Sequence, residues 1–141
     1  VSDQPGAGIL GRAKTRGIPS LHVDPGPQAG EFTEAAFKEL ADRLRAAGVT
    51  LLNQSVLLAQ VNDDAATIAA HCRRLFAAGV LPYYLHLTDP VDGAAHFDVD
   101  EARARTIEAE LRAALPGYLV PRIVREVPGE AGKTLLWALP T

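Results

Sequence analysis

From Phe32 onward, helical and strand patterns alternate in units of roughly thirty residues, and this alternation constrains the fold more than any other feature. Thr33 can cap a helix whose apolar face is Phe37, Leu40, Ala41, Leu44 and Ala47, spaced by threes and fours. Gly48 stands where a helix-ending glycine belongs. Val49–Leu58 reads as a buried strand with the polar triplet Asn53-Gln54-Ser55 inside it. Asn62, Asp63 and Asp64 offer caps for a second helix with Ile68, Cys72, Leu75 and Phe76 on one face, ending at Gly79. Val80–Leu87 is a second strand, and Pro82 near its start is tolerable there. After a loop over 88–99, Asp98 or Asp100 caps a third helix that turns Ala104, Ile107, Leu111, Ala114 and Leu115 inward. Pro116-Gly117 ends it, Tyr118–Val127 is a third strand, and a Gly-rich turn leads to a last short strand at Thr134–Leu139.

Helix–strand units of this length predict an α/β fold with parallel strands and crossover helices. A small doubly wound sheet and part of a TIM-type β/α barrel both fit. Residues 1–31 are rich in Gly and Pro and read as an irregular segment, with one short strand at Ile18–Val23; residues 32–141 form the regular domain.

Composition narrows the function. The chain has 141 residues, a formal net charge of −3 and a pI near 5.8, so it shows no basic stripe for nucleic acid. No apolar run reaches the roughly 18 residues of a membrane helix, and no charged stretch followed by an apolar run opens the sequence, so no secretory leader is expected. A cytoplasmic location follows as the expectation. The single cysteine, Cys72, excludes an internal disulfide and a self-contained cluster of thiolate ligands, and no metal site is expected. On a helix's apolar face, Cys72 reads as core. The chain starts at Val1 and holds no Met, which reads as a fragment or processed piece.

In parallel α/β folds the chemistry sits at the carboxyl ends of the strands. Three strand ends supply polar groups: Gln60, Asn62 and Asp63 after the first, His86 and Asp89, with Gly93 and His96, after the second, and Arg125, Glu126 and Lys133 after the third. Each has a plainer reading. Asn53, Gln54 and Ser55 could hold loops by hydrogen bonds, His86 could be a satisfied core histidine, and Asp89 could serve the Asp-Pro turn. Lys133 follows a Gly-rich turn that is no P-loop, because Val127 stands where the first glycine would. It could be a phosphate contact, a surface charge, or an amine that bonds to an aldehyde cofactor.

Blocks of this sequence resemble the lysine 2,3-aminomutase family. They are Leu51-Leu52-Asn53-Gln54-Ser55-Val56-Leu57-Leu58, Val61-Asn62-Asp63-Asp64, Leu81-Pro82-Tyr83-Tyr84-Leu85-His86 with Asp89, Gly93-Ala94-Ala95-His96-Phe97, and Gly117-Tyr118-Leu119-Val120-Pro121. Arg125–Thr134 resembles the bacterial branch that makes β-lysine for modification of elongation factor P. The resemblance implies a partial β/α barrel of the radical S-adenosylmethionine type, using a [4Fe–4S] cluster, S-adenosylmethionine and pyridoxal phosphate to move an amino group between adjacent carbons of lysine. It implies that Lys133 bonds to pyridoxal phosphate, that Asn53, Gln54 and Ser55 line the cofactor cavity, and that Asp89 and Glu126 hold the distal ammonium of the substrate. Two carboxylates suit an ammonium, which offers only charge and three donors.

The family's Cys-x-x-x-Cys-x-x-Cys motif is absent here, as are the upstream strands that carry its phosphate and carboxylate contacts. The expectation is a C-terminal fragment, inactive alone, whose open sheet edges favour association or a homo-oligomer. The competing expectation is a non-catalytic α/β domain that binds a small ligand or a partner chain.

Overall fold

A computed structural model describes residues 34–88 and 97–139 of the chain. The irregular segment 1–31, the strand at Ile18–Val23, the cap at Thr33, and Asp89, Gly93 and His96 lie outside the described residues. The chain divides into two compact units, Val1–Leu51 and Leu52–Thr141.

In the first unit, helix α1 spans Glu34–Ala46. Its Ala41 and Leu44 are buried, one helical step apart. Gly48, at φ 82°, takes the left-handed conformation that lets the chain leave the helix.

The second unit is a four-stranded open sheet with two crossover helices. In chain order it runs β1 (Leu52–Leu57), α2 (Ala65–Ala77), β2 (Leu81–Leu87), α3 (Glu101–Ala114), β3 (Arg122–Glu126) and β4 (Lys133–Leu135). The spatial order is β1-β2-β3-β4. β1 and β2 pair in parallel, as do β2 and β3, while β3 and β4 pair antiparallel. The expected parallel βαβ units are therefore present. A doubly wound sheet reverses its strand order and spreads its helices over two faces. Here the order is sequential, and both crossovers pack one face, where Leu57, Leu85, Leu87 and Ile123 share a core with Ile68, Cys72, Ile107 and Leu111. Among the described residues the sheet stays open, with no barrel closure.

Local sequence explains the element ends. Asp64 and Asp100 cap α2 and α3, their carboxylates accepting from the Thr67 and Arg103 backbone N–H groups at 2.8 Å each. Of Asn62, Asp63 and Asp64, and of Asp98 and Asp100, these are the ones that cap. Gly79, at φ 82°, ends α2 as Gly48 ends α1. The third strand is shorter than the sequence pattern suggests. Gly117–Leu119 form a 3-10 turn, and β3 starts only after Pro121, which has no N–H to give to a ladder. The last strand is also shorter, and Leu136–Ala138 coil into a second 3-10 turn that buries Leu136.

Leu111 is fully buried between α3 and the sheet. Leu111→Ala is expected to cost about 2–5 kcal/mol. Urea unfolding of the two proteins measures this, and a loss below about 1 kcal/mol would contradict the packing described.

Candidate functional site

The antiparallel hairpin is the source of the site. Strand pairing places Glu126 directly opposite Lys133. Facing partners in a ladder project to the same side of the sheet. Their side chains meet there, with Lys133 Nζ donating to Glu126 Oε1 at 2.8 Å. The turn over 127–132 makes this possible. Gly129 adopts φ +90°, and the Glu130 N–H closes onto the Val127 carbonyl at 3.1 Å. The Lys133 ammonium, by hydrogen bond and charge, holds the Glu126 carboxyl below its usual range.

The neighbouring strand brings two rings to the same face. Lys133 Nζ lies 5.9 Å from the centroid of the Tyr84 ring, within reach of a cation–π attraction. Tyr84 and His86 sit two residues apart on β2 and stack edge-on, with centroids 5.7 Å apart. His86 Nε2 donates to Gln54 Oε1 of β1 at 2.9 Å. Burial holds the His86 imidazole below its ordinary pKa, and the Lys133 charge adds to that. Gln54, Tyr84, His86, Glu126 and Lys133 thus form one polar row across all four strands, on the face opposite the helices.

The triplet in β1 is divided by the alternation of the strand. Gln54 joins the row, whereas Asn53 and Ser55 face α2. Ser55 Oγ donates to Asn53 Oδ1 at 2.7 Å and lies 3.5 Å from His71 Nε2. Both line a hollow of about 520 Å3 whose walls include His71, Arg74 and Tyr84 but neither Glu126 nor Lys133. Burial also lowers the His71 pKa.

Other rim candidates serve the scaffold. Asn62 closes the loop after β1, donating to the Val56 carbonyl and accepting from the Leu58 N–H. Asp63 accepts from the Gln60 N–H, at a Gln60 held at φ 67°. Arg125 turns towards α3 and pairs with Glu101 at 3.4 Å. Cys72 is core, its thiol pushed up to about 11 by burial. Asp89 lies outside the described residues. The Tyr84 ring beneath Lys133 and the Gln54–His86 bond were not anticipated as contacts. Strand parity was the available signal, since Gln54, Tyr84, His86 and Glu126 all share it once the register is known.

A lysine paired to a carboxylate at the carboxyl end of β3, beside an imidazole that burial holds towards its neutral form, defines an α/β domain with a polar row on one face of its sheet. Comparison with known proteins specifies it further. No protein-family model matches the chain. The L-lysine 2,3-aminomutase of Escherichia coli is 54% identical over 108 residues, which cover 77% of this chain and 31% of that protein. The Haemophilus influenzae protein of the same name is 50% identical over 99 residues, or 70% of this chain and 29% of the relative. That of Clostridium subterminale is 36% identical over 115 residues, or 82% and 27%. Over the stretch it shares with them, the chain belongs to the L-lysine 2,3-aminomutase family. It spans between 27% and 31% of the length of these relatives.

Burial favours the neutral form of His71 and of His86 in the folded chain, so at these two positions the unfolded chain takes up protons first as pH falls. Stability is therefore expected to decline below about pH 6.5. The double variant H71Q/H86Q should show a flatter decline in urea midpoint between about pH 7.5 and about pH 5.5. An unchanged slope would contradict the assignment.

Proposed function

We propose that this stretch forms the pyridoxal phosphate side of a lysine 2,3-aminomutase site, with Lys133 as the residue that bonds to the cofactor. The observation that carries the reading is the placement of Lys133. It is a primary amine at the start of a strand, partly shielded with 28% of its side chain exposed, and oriented by Glu126 and Tyr84. Relatives named for the activity support it.

The residues fit the aldehyde end of pyridoxal phosphate. Lys133 supplies the nucleophilic nitrogen, and Gln54 and His86 present hydrogen-bonding groups on the same face. When bound, the cofactor supplies a conjugated ring that carries an amino nitrogen during its transfer. Around it, Glu126 would receive the distal ammonium of lysine, with Asp89 as the second carboxylate. His86 would stay neutral, holding its proton on Nε2 against Gln54. The whole reaction we infer is the isomerisation of L-lysine to β-lysine, and the likeness of Arg125–Thr134 to the elongation factor P branch directs that product to the factor's modification. A cytoplasmic setting goes with this reading.

A [4Fe–4S] cluster does not fit this stretch. The chain has one cysteine, which is buried, and the described residues contain no group of His, Cys, Asp or Glu able to hold a metal ion. No residue here is assigned to the cluster or to S-adenosylmethionine, and the complete reaction would need ligands other than these. Among the described residues no helix is long and apolar enough to cross a membrane.

The test is trapping. The purified chain is mixed with pyridoxal phosphate, reduced with borohydride and mapped by mass spectrometry. Labelling concentrated on Lys133, and lost in Lys133→Ala, is the expected result. Equal labelling of Lys14, Lys38 and Lys133 would overturn the reading and favour a domain without this site.

A further inference from the structure

The hollow lined from β1, β2 and α2 takes no wall from Glu126 or Lys133. It holds about 520 Å3 and has two kinds of wall. Val61, Ile68, Pro82 and Leu85 make an apolar one, and Asn53, Ser55, His71 and Arg74 a polar one. Val61, in the loop after β1, is 60% exposed, an apolar surface that a ligand would cover. Small-molecule sites have volumes of roughly 300–1,000 Å3 and combine apolar walls with a few polar groups in the same way.

The polar wall is a set of donors. Ser55 Oγ donates to Asn53 Oδ1 at 2.7 Å, so the Asn53 carbonyl is taken and its amide N–H groups remain to donate. Arg74 adds a guanidinium. No Asp or Glu lines the hollow, and among the described residues no carboxylate pairs with Arg74. Asp64, the cap of α2, is committed to the helix start, where it accepts from the Thr67 N–H and hydroxyl. His71 brings no second cation, since burial first and the Arg74 charge second hold its imidazole below the ordinary value. The hollow therefore presents one positive charge, several N–H donors and no anion.

We propose that this hollow binds a small carboxylate with an apolar body, the carboxylate on Arg74 and Asn53 and the body against Val61, Ile68 and Leu85. The charges balance one to one, and the fork of a guanidinium matches the two oxygens of a carboxylate. A doubly charged phosphate would leave one charge unmatched. A neutral molecule would make no use of Arg74. The site does not depend on the cofactor reading of Lys133. Tyr84 is shared between the two regions, since it lines the hollow and its ring lies 5.9 Å from Lys133 Nζ.

The experiment titrates the whole isotope-labelled chain with benzoate and follows its backbone amides by NMR. Acetate, which carries the charge without the body, and benzyl alcohol, which carries the body without the charge, are titrated in parallel. Benzoate is expected to move the amides of Asn53, Ser55, His71 and Arg74 along one saturable curve, with a Kd of about 1 mM. Acetate and benzyl alcohol should each bind about fivefold more weakly or worse. Arg74→Gln, at an exposed helix position, should weaken benzoate by about three- to tenfold and leave the urea midpoint unchanged. Arg112→Gln, on α3 and outside the hollow, should bind benzoate as the unchanged chain does. Shifts that never saturate, benzyl alcohol or acetate binding as well as benzoate, or undiminished binding by Arg74→Gln would each overturn the site.

Discussion

The burial of Leu57, Leu85 and Ile123 against α2 and α3 is the constraint on which the rest depends. These residues lie side by side on three adjacent strands, Leu57 opposite Leu87 and Leu85 opposite Ile123. Because side chains alternate along a strand, committing one parity to the core commits the other to the opposite face. Gln54, Tyr84, His86 and Glu126 are all on that other parity. A slip of one residue in β1 or β2 would turn a polar group towards the core and expose a core leucine, and in β3 it would expose Ile123.

The hairpin adds the fourth strand in a different way. Its register depends on the turn over 127–132 and on Gly129 at φ +90°. That turn reverses the chain, so a cation seven residues on returns to face Glu126. The scaffold is built from strong apolar contacts, while the site is built from weak polar ones.

Much of the architecture was legible in the chain. The three-and-four spacing of Ile107, Leu111 and Leu115 and the capping Asp64 and Asp100 marked the helices. The helix-length crossovers required parallel strands. The edges of β3 and β4 were less legible, because apolar residues such as Leu119 and Leu136 are buried whether the backbone is extended or coiled into a 3-10 turn. The triplet Asn53-Gln54-Ser55 read as one polar block, yet Asn53 and Ser55 bond to each other beside His71 while Gln54 reaches His86. A block of adjacent polar residues in a strand carries no sign of which face is the core until its neighbours are placed.

By itself the sequence determined the kind of elements, their order and the family to which they belong. Periodicity, capping and motif spacing are properties of neighbouring residues, and short-range sterics and hydrogen bonding decide them. Only the tertiary structure decided that the sheet order is sequential, that the last strand returns antiparallel, and that Lys133 meets Glu126 over Tyr84. Those outcomes turn on the pairing of strands distant in sequence, and a chain reveals that pairing only after its core has chosen the register.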